Sequence, residues 1–197
     1  MPVSVNPSLR PGTVYRTRSL RKYGENPTRL AARLVNEGRL EKLRSGLYYA
    51  PRKSRFGAVP PSDQELLRAF FGGAPYLVTG PSVWNTLALG STAVANVQLV
   101  YNAVRTGELE LAGRRFDLRR VRFPRRDVGA EYFVIDLFEN AELAGVELSV
   151  LGDNLSRALA NQRFDPSLLE EAARRYGSKR TLETVRQAMA VRQSPVD

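Results

Sequence analysis

An Asn-Pro pair at 26–27 and a glycine at 38 bracket one stretch of this chain more tightly than any other feature does. An Asn side chain accepts from first-turn amides, and Pro suits the first helical position, where no N–H is needed. Gly is the usual residue just past a helix end, so the spacing predicts a helix from Pro27 to about Asn36–Glu37. At about 100° per residue, Leu30, Ala31, Leu34 and Val35 fall on one face. Thr28, Arg29, Ala32, Arg33 and Asn36 fall largely on the other. Upstream, Thr13-Val14-Tyr15 reads as a short strand, and Thr17 or Ser19 as the cap of a short helix reaching about Tyr23, with Gly24 supplying a tight turn. Pro7 and Pro11 restrict the first twelve residues to a short helix or an extended lead-in. Downstream, 39–43 and 47–50 read as the strands of a hairpin around Arg44-Ser45-Gly46, where Gly46 takes a positive φ at little cost. Strand, helix, turn, helix and hairpin in that order predict a winged helix-turn-helix over residues 1–53.

Charge points the same way. Of the formal net charge of +10, residues 1–60 hold 13 Lys/Arg against 3 Asp/Glu, and residues 61–197 hold 17 against 17. The positive excess therefore sits in the first third, as a polyanion partner requires. On the polar face of the bracketed helix, Arg29 and Arg33 stand one turn apart among the small or polar Thr28, Ala32 and Asn36. Such a face approaches base edges closely, and Arg pairs with guanine or grips phosphate. Arg16, Arg18, Arg21 and Lys22 would hold the DNA backbone around the first helix, and Lys42 and Arg44 at the hairpin tip would reach a flanking phosphate or the minor groove. The same Arg also fit an ordinary solvated helix face; the start signal, the preceding helix and the hairpin favour the DNA reading. Tyr48 and Tyr49 read as packing rather than base-stacking residues.

Residue types that are missing narrow the function further. The chain has no Cys and no His, which leaves no disulfide framework, no thiolate zinc site and no Ser-His or Cys-His nucleophile pair. No carboxylate pair stands out; Asp136 is the carboxylate to inspect first, although a lone Asp near a strand end is usually a helix cap. We expect no enzyme, no cofactor and no metal. No apolar run approaches the roughly 20 residues that span a bilayer, and the opening MPVSVNPSLRPG lacks the apolar core of a signal peptide. These features predict a cytoplasmic protein with no membrane partner.

Gly57, Pro60 and Pro61 make 54–61 a linker, and 62–197 a second, α+β domain: a mixed α/β region ending in a small helical bundle. Ser62-Asp63-Gln64-Glu65 is a capping box opening a helix whose Leu66, Leu67, Phe70 and Phe71 share a face, with Gly72-Gly73 at its end. Tyr76 to Thr79 reads as a buried strand, and Gly80-Pro81-Ser82 turns into a short helix with Val83, Trp84, Leu87 and Ala88 inward. That junction reads as packing; an anion at its helix N-terminus is the other possibility, but it lacks the P-loop Lys. Further strands are expected at 97–102, 108–111, 115–122 and 131–135, with a helical return from Asp136 to Asn140. Arg114 to Arg126 holds seven Arg against one Asp. Its members Arg114, Arg115, Arg119, Arg120 and Arg122 leave three roles open: a secondary nucleic-acid patch, an acidic-partner contact or a solvated strand face. Three apolar stripes then predict the bundle: Leu151, Leu155, Ala158 and Leu159; Leu168, Leu169, Ala172, Ala173 and Tyr176; and Leu182, Val185 and Met189. None extends over several heptads, so a coiled-coil seam is not expected.

Several phrases resemble the AbiEi-type antitoxin family, in its short-chain branch. In the first domain they are Tyr15-Arg16-Thr17-Arg18-Ser19-Leu20, Asn26-Pro27-Thr28-Arg29-Leu30, Glu37-Gly38-Arg39-Leu40 and Gly46-Leu47-Tyr48-Tyr49-Ala50-Pro51. In the second they are Leu77-Val78-Thr79-Gly80-Pro81-Ser82-Val83-Trp84-Asn85-Thr86-Leu87, Val100-Tyr101-Asn102 and Arg119-Arg120-Val121-Arg122-Phe123-Pro124. The resemblance runs over about residues 13–190. It implies a transcriptional repressor that is the autoregulating antitoxin of a type IV toxin–antitoxin, or abortive-infection, pair. Two copies would occupy inverted repeats in the operon's promoter, on double-stranded DNA. A nucleotidyltransferase-like toxin would be opposed without a stable complex being required. The alternatives are a nuclease or nucleotide transferase targeted by the winged helix, and an RNA- or protein-binding adaptor.

Overall fold

Asn26 caps its helix as expected. In the computed structural model, which describes residues 7–94, 97–121 and 128–191, its side-chain oxygen accepts from the Arg29 backbone N–H at 3.0 Å. The helix, α1, spans Pro27–Asn36 and buries Leu30, Ala31 and Leu34. Ahead of it, strand β1 (Thr13–Arg16) leads into a 3-10 segment, Thr17–Tyr23. That segment differs from the expected capped helix. No side chain caps it, and the Ser19 hydroxyl instead donates to the Arg16 carbonyl at 2.7 Å. Gly24 has φ 167°, which is extended backbone rather than a left-handed turn. Seven residues with three cations among them gain little from an i→i+4 ladder, and the tighter 3-10 form is common in such short connectors.

Strands β2 (Glu41–Arg44) and β3 (Leu47–Ala50) form the expected hairpin. Arg44 ends β2 rather than lying in the turn, which is Ser45-Gly46 with Gly46 at φ +81°. β3 pairs antiparallel with both β1 and β2, giving the order β1-β3-β2. Tyr15, Leu20, Leu30, Ala31, Leu34, Leu40, Tyr48 and Ala50 form the core beneath this sheet. Each large apolar side chain so buried contributes about 1.5–3 kcal/mol. Tyr48 and Tyr49 are buried, so they pack.

The predicted linker is structured. Strands β4 (Arg52–Ser54) and β5 (Gly57–Val59) pair antiparallel in a second hairpin. Gly57, read as a breaker, is a hairpin residue with φ +110°. Helix α2 (Asp63–Phe71) follows, opened by the full capping box: Ser62 accepts from the Glu65 amide, and Glu65 accepts from Ser62. The compact units also differ from a cut at 53/62. One comprises 1–74 together with 109–115, and the other 75–108 with 116–197. Helix α2 thus belongs to the first.

After β6 (Tyr76–Thr79) comes α3 (Pro81–Trp84), then β7 (Val97–Asn102), β8 (Gly107–Leu111) and β9 (Arg114–Arg120). These four strands have the order β6-β7-β9-β8. Val83 is half-buried, Trp84 and Leu87 are buried, but Ala88 is exposed. Residues 131–135 are not a strand. They lie in α4 (Ala130–Glu139), which places Asp136 mid-helix rather than at a strand end. The run Tyr132-Phe133-Val134-Ile135 is β-prone by composition, yet Val134, Ile135, Leu137 and Phe138 are all buried. A helix enclosed around much of its circumference loses the one-sided pattern that identifies it. Helices α5 (Leu148–Ala160), α6 (Pro166–Tyr176) and α7 (Lys179–Val191) complete the bundle, with α5 on α7, α4 on α6 and α6 on α7. All of the first predicted stripe is buried; of the second, Leu168 faces solvent. The chain is α+β, with its largest core around Trp84, Ile135, Leu155 and Leu169.

Candidate nucleic-acid interface

The cap and the buried stripe of α1 together fix which side chains it presents. With Leu30, Ala31 and Leu34 turned inward, Thr28, Arg29, Ala32 and Asn36 are exposed. Arg29 leaves the first turn of the helix with no ion pair among the described residues. Arg33 differs. It is half-buried, and its Nε lies 3.6 Å from Glu37 Oε1, one turn on. Glu37 also faces Arg39 at 3.7 Å, so one carboxylate offsets two cations here.

The cations around the 3-10 segment divide as well. Arg18 Nη2 donates to the Gly72 carbonyl at 3.0 Å, at the C-terminal end of α2. Arg16 lies against the same glycine: an added Cβ there would meet its guanidinium. Partial burial, and then the charge of Arg18, push the Arg16 guanidinium below its ordinary pKa. Arg44 stacks over the Phe70 ring, 5.6 Å from the centroid. Cations at a helix C-terminus complement its dipole, so Arg16 and Arg18 help hold α2 within the first unit. Arg21 and Lys42 are exposed, and Lys22 lies 4.7 Å over the Tyr23 ring with its side chain still exposed. Among the ten predicted positions, Arg21, Lys22, Thr28, Arg29, Asn36 and Lys42 thus present themselves to solvent, while Arg16, Arg18, Arg33 and Arg44 carry internal contacts.

Of the second basic run, Arg114, Arg115, Arg119 and Arg120 all lie on β9. Arg114 and Arg115 fall in the first unit, and Arg119 and Arg120 in the second. Arg114 pairs with Asp63 at 2.5 Å in the first turn of α2. Arg119 pairs with Asp117 at 3.1 Å and donates to Asn140 at 3.2 Å. Phe116 and Leu118 alternate inward along β9, and Arg120 at its end is exposed. Arg122, with the Phe123-Pro124 that follows it, lies outside the described residues.

Asp136 is buried at the centre of a polar network that its isolation in the sequence concealed. One carboxylate oxygen accepts from the Thr79 hydroxyl and from Trp84 Nε1 at 2.8 Å. The other accepts from the Tyr101 hydroxyl at 2.8 Å and Asn140 Nδ2 at 3.3 Å. Burial pushes the Asp136 carboxyl above the usual carboxylate range, opposed by these hydrogen bonds and by Arg119. Burial, then the Asp136 charge, likewise raises the Tyr101 phenol. With its acceptor sites filled by protein donors, the carboxylate fits a structural junction: it ties β6, α3 and β7 to α4. The i,i+4 spacing of Asp136 and Asn140 was the available signal, legible once 130–139 is recognised as helical. No group of three or more His, Cys, Asp or Glu disposed to hold a metal occurs among the described residues. No helix among them is long and apolar enough to cross a membrane.

No known family model matches the chain, and neither does any curated protein. Among solved structures, the crystal structure of the RV2827C protein from Mycobacterium tuberculosis is similar with a TM-score of 0.49 at 14% identity, over 93% of this chain and 73% of that one.

Proposed function

We propose that this chain is a sequence-specific DNA-binding transcriptional repressor whose first unit is a winged helix-turn-helix. The observation that carries the reading is the exposed polar face of α1, led by Arg29, in the segment that holds all of the chain's positive excess. In this reading α1 is the recognition helix, the 3-10 segment replaces the helix that usually precedes it, and β2–β3 is the wing. Arg29, with Thr28 and Asn36, addresses base edges; Arg21, Lys22 and Lys42 hold phosphates; Arg33 contributes what Glu37 leaves of its charge.

The resemblance to AbiEi-type antitoxins extends the proposal to a biological role. The protein autoregulates a type IV toxin–antitoxin operon in the cytoplasm, two copies on promoter inverted repeats, and opposes a nucleotidyltransferase-like toxin without a lasting complex. The second unit is non-catalytic in this reading and uses no cofactor. Asp136, the carboxylate a nuclease or transferase would call on, is already supplied with hydrogen-bond donors.

The test is fluorescence anisotropy on the duplex upstream of the gene, across a salt series. Neutralising about six phosphates gives a slope of log K against log salt of roughly −5. Binding that is absent at low salt, or equal for a matched RNA, removes the reading. Mg²⁺-dependent cleavage that is lost in Asp136→Asn would restore the enzyme.

A further inference from the structure

We propose that the β4–β5 hairpin is a second DNA contact, with Phe56 as a wedge that enters the minor groove between base steps. This rests on the DNA-binding reading above, and it concerns residues that reading does not use.

Phe56 is 91% exposed, although large aromatic side chains are normally covered in a folded chain. It occupies the two-residue turn Arg55-Phe56 at the tip of the narrow ribbon. The turn is ordered rather than loose. Ser54 Oγ accepts from the Phe56 amide at 3.2 Å and donates to the Gly57 carbonyl at 3.1 Å. Gly57 takes φ +110°, which L side chains rarely adopt. At its other end the ribbon is anchored: the buried Tyr49 hydroxyl donates to the Val59 carbonyl at 2.5 Å. The aromatic tip is therefore held out on a hydrogen-bonded hairpin.

Charge identifies the occupant. Residues 42–62 contain five cations (Lys42, Arg44, Arg52, Lys53 and Arg55) and no Asp or Glu. The Arg55 guanidinium lies 5.6 Å over the Phe56 ring, so cation and ring reach a partner together. Minor-groove proteins combine these two parts: Arg or Lys drawn to the narrow, negative groove, and an apolar wedge that partly unstacks a step and kinks the duplex. A membrane surface requires more apolar area than this tip carries, because Phe56 is flanked by Arg55, Ser54, Gly57 and Ala58.

The experiment maps the protected segment upstream of the gene by footprinting. The full-length protein is then bound to that duplex carrying a donor–acceptor pair at its ends and 2-aminopurine at successive steps. The wild type is expected to shorten the end-to-end distance and brighten one 2-aminopurine. Phe56→Ala should lose both signals and about 3- to 10-fold in affinity, with the salt slope unchanged. Arg55→Ala should reduce that slope by about 1. Because Phe56 contacts solvent, the variants fold, and an unchanged far-ultraviolet circular dichroism spectrum and melting curve check this. A bend and a 2-aminopurine signal that persist in Phe56→Ala overturn the wedge while leaving the repressor intact. Failure of the wild type to bind the duplex overturns both. If Phe56→Ala abolishes binding to anionic phosphatidylserine vesicles and leaves DNA binding untouched, the tip is a lipid contact and the wedge is overturned.

Discussion

The two units treat charge in opposite ways. In residues 1–60 cations outnumber carboxylates 13 to 3, and the polar face of α1 and the β4–β5 tip leave several of them in solvent. In the second unit Arg119 pairs with Asp117, Glu170 takes both Arg174 and Arg186 at the surface, and Asp136 is buried among donors. Composition alone distinguishes the two only as basic and neutral. What matters physically at each position is whether the charge has a partner already, since an unpaired surface cation can exchange its counterions for phosphate, and a paired one must first give up its partner.

The largest effect should come from breaking the paired side of that contrast. Asp136→Ala leaves Trp84 Nε1 and the Thr79 and Tyr101 hydroxyls without their acceptor, and should destabilise the protein by about 3 kcal/mol. Trp84 is the chain's only Trp, so urea unfolding followed by its emission reports on this site. DNA affinity of the folded fraction should not change. Asp136→Asn tests the charge itself. Because burial raises the folded carboxyl above its unfolded value of about 3.9, the folded state holds this proton to higher pH. The stability it contributes is therefore full below that value and declines as pH rises through the raised one. The Asn variant should lack this decline in a pH series of urea midpoints.

On the unpaired side, Arg29→Ala should cost about 1–3 kcal/mol of binding and relax preference at one base position. A uniform loss across sequences would make Arg29 a phosphate contact instead. Glu37→Gln releases Arg33 and Arg39 from their shared carboxylate. It should tighten DNA binding by about 2- to 5-fold and steepen the salt slope, an exposed pair being worth about 0.2–1 kcal/mol. The smallest effect is expected at Arg119→Ala, with no change in salt slope. A slope change of a full unit there would place a DNA contact in the second unit and end the contrast.

The parts of the fold that sequence reasoning reached are those governed by local chemistry. Asn26 and Ser62 cap helices because their side chains accept from first-turn amides. Ser45-Gly46 turns a hairpin for an equally local reason. The parts it missed depend on surroundings. Residues 131–135 look like a strand until the packing that buries them on several sides is known. Residues 54–61 look like a linker because Gly57 reads as a breaker, although hairpin turns use the same residue. The candidate site divides along the same line. Arg29 was legible from helix phase alone. The commitments of Arg16 and Arg18 to Gly72 were not, since their partner lies 54 residues from Arg18. Arg55 and Phe56 fall inside the expected linker; Arg-Lys-Ser-Arg-Phe-Gly, cations and an aromatic around a turn, is the signal there.

The seven residues 109–115 have a consequence for how this protein can be inherited or dissected. A unit assembled from 1–74 and a returning segment is not a portable cassette. Cutting the gene after codon 74 would remove Arg114, the partner of Asp63 at the start of α2. A recombination event that exchanged everything downstream would do the same. An exchange of everything after residue 74 keeps the first unit whole only if the incoming chain also supplies the β8–β9 turn at 109–115.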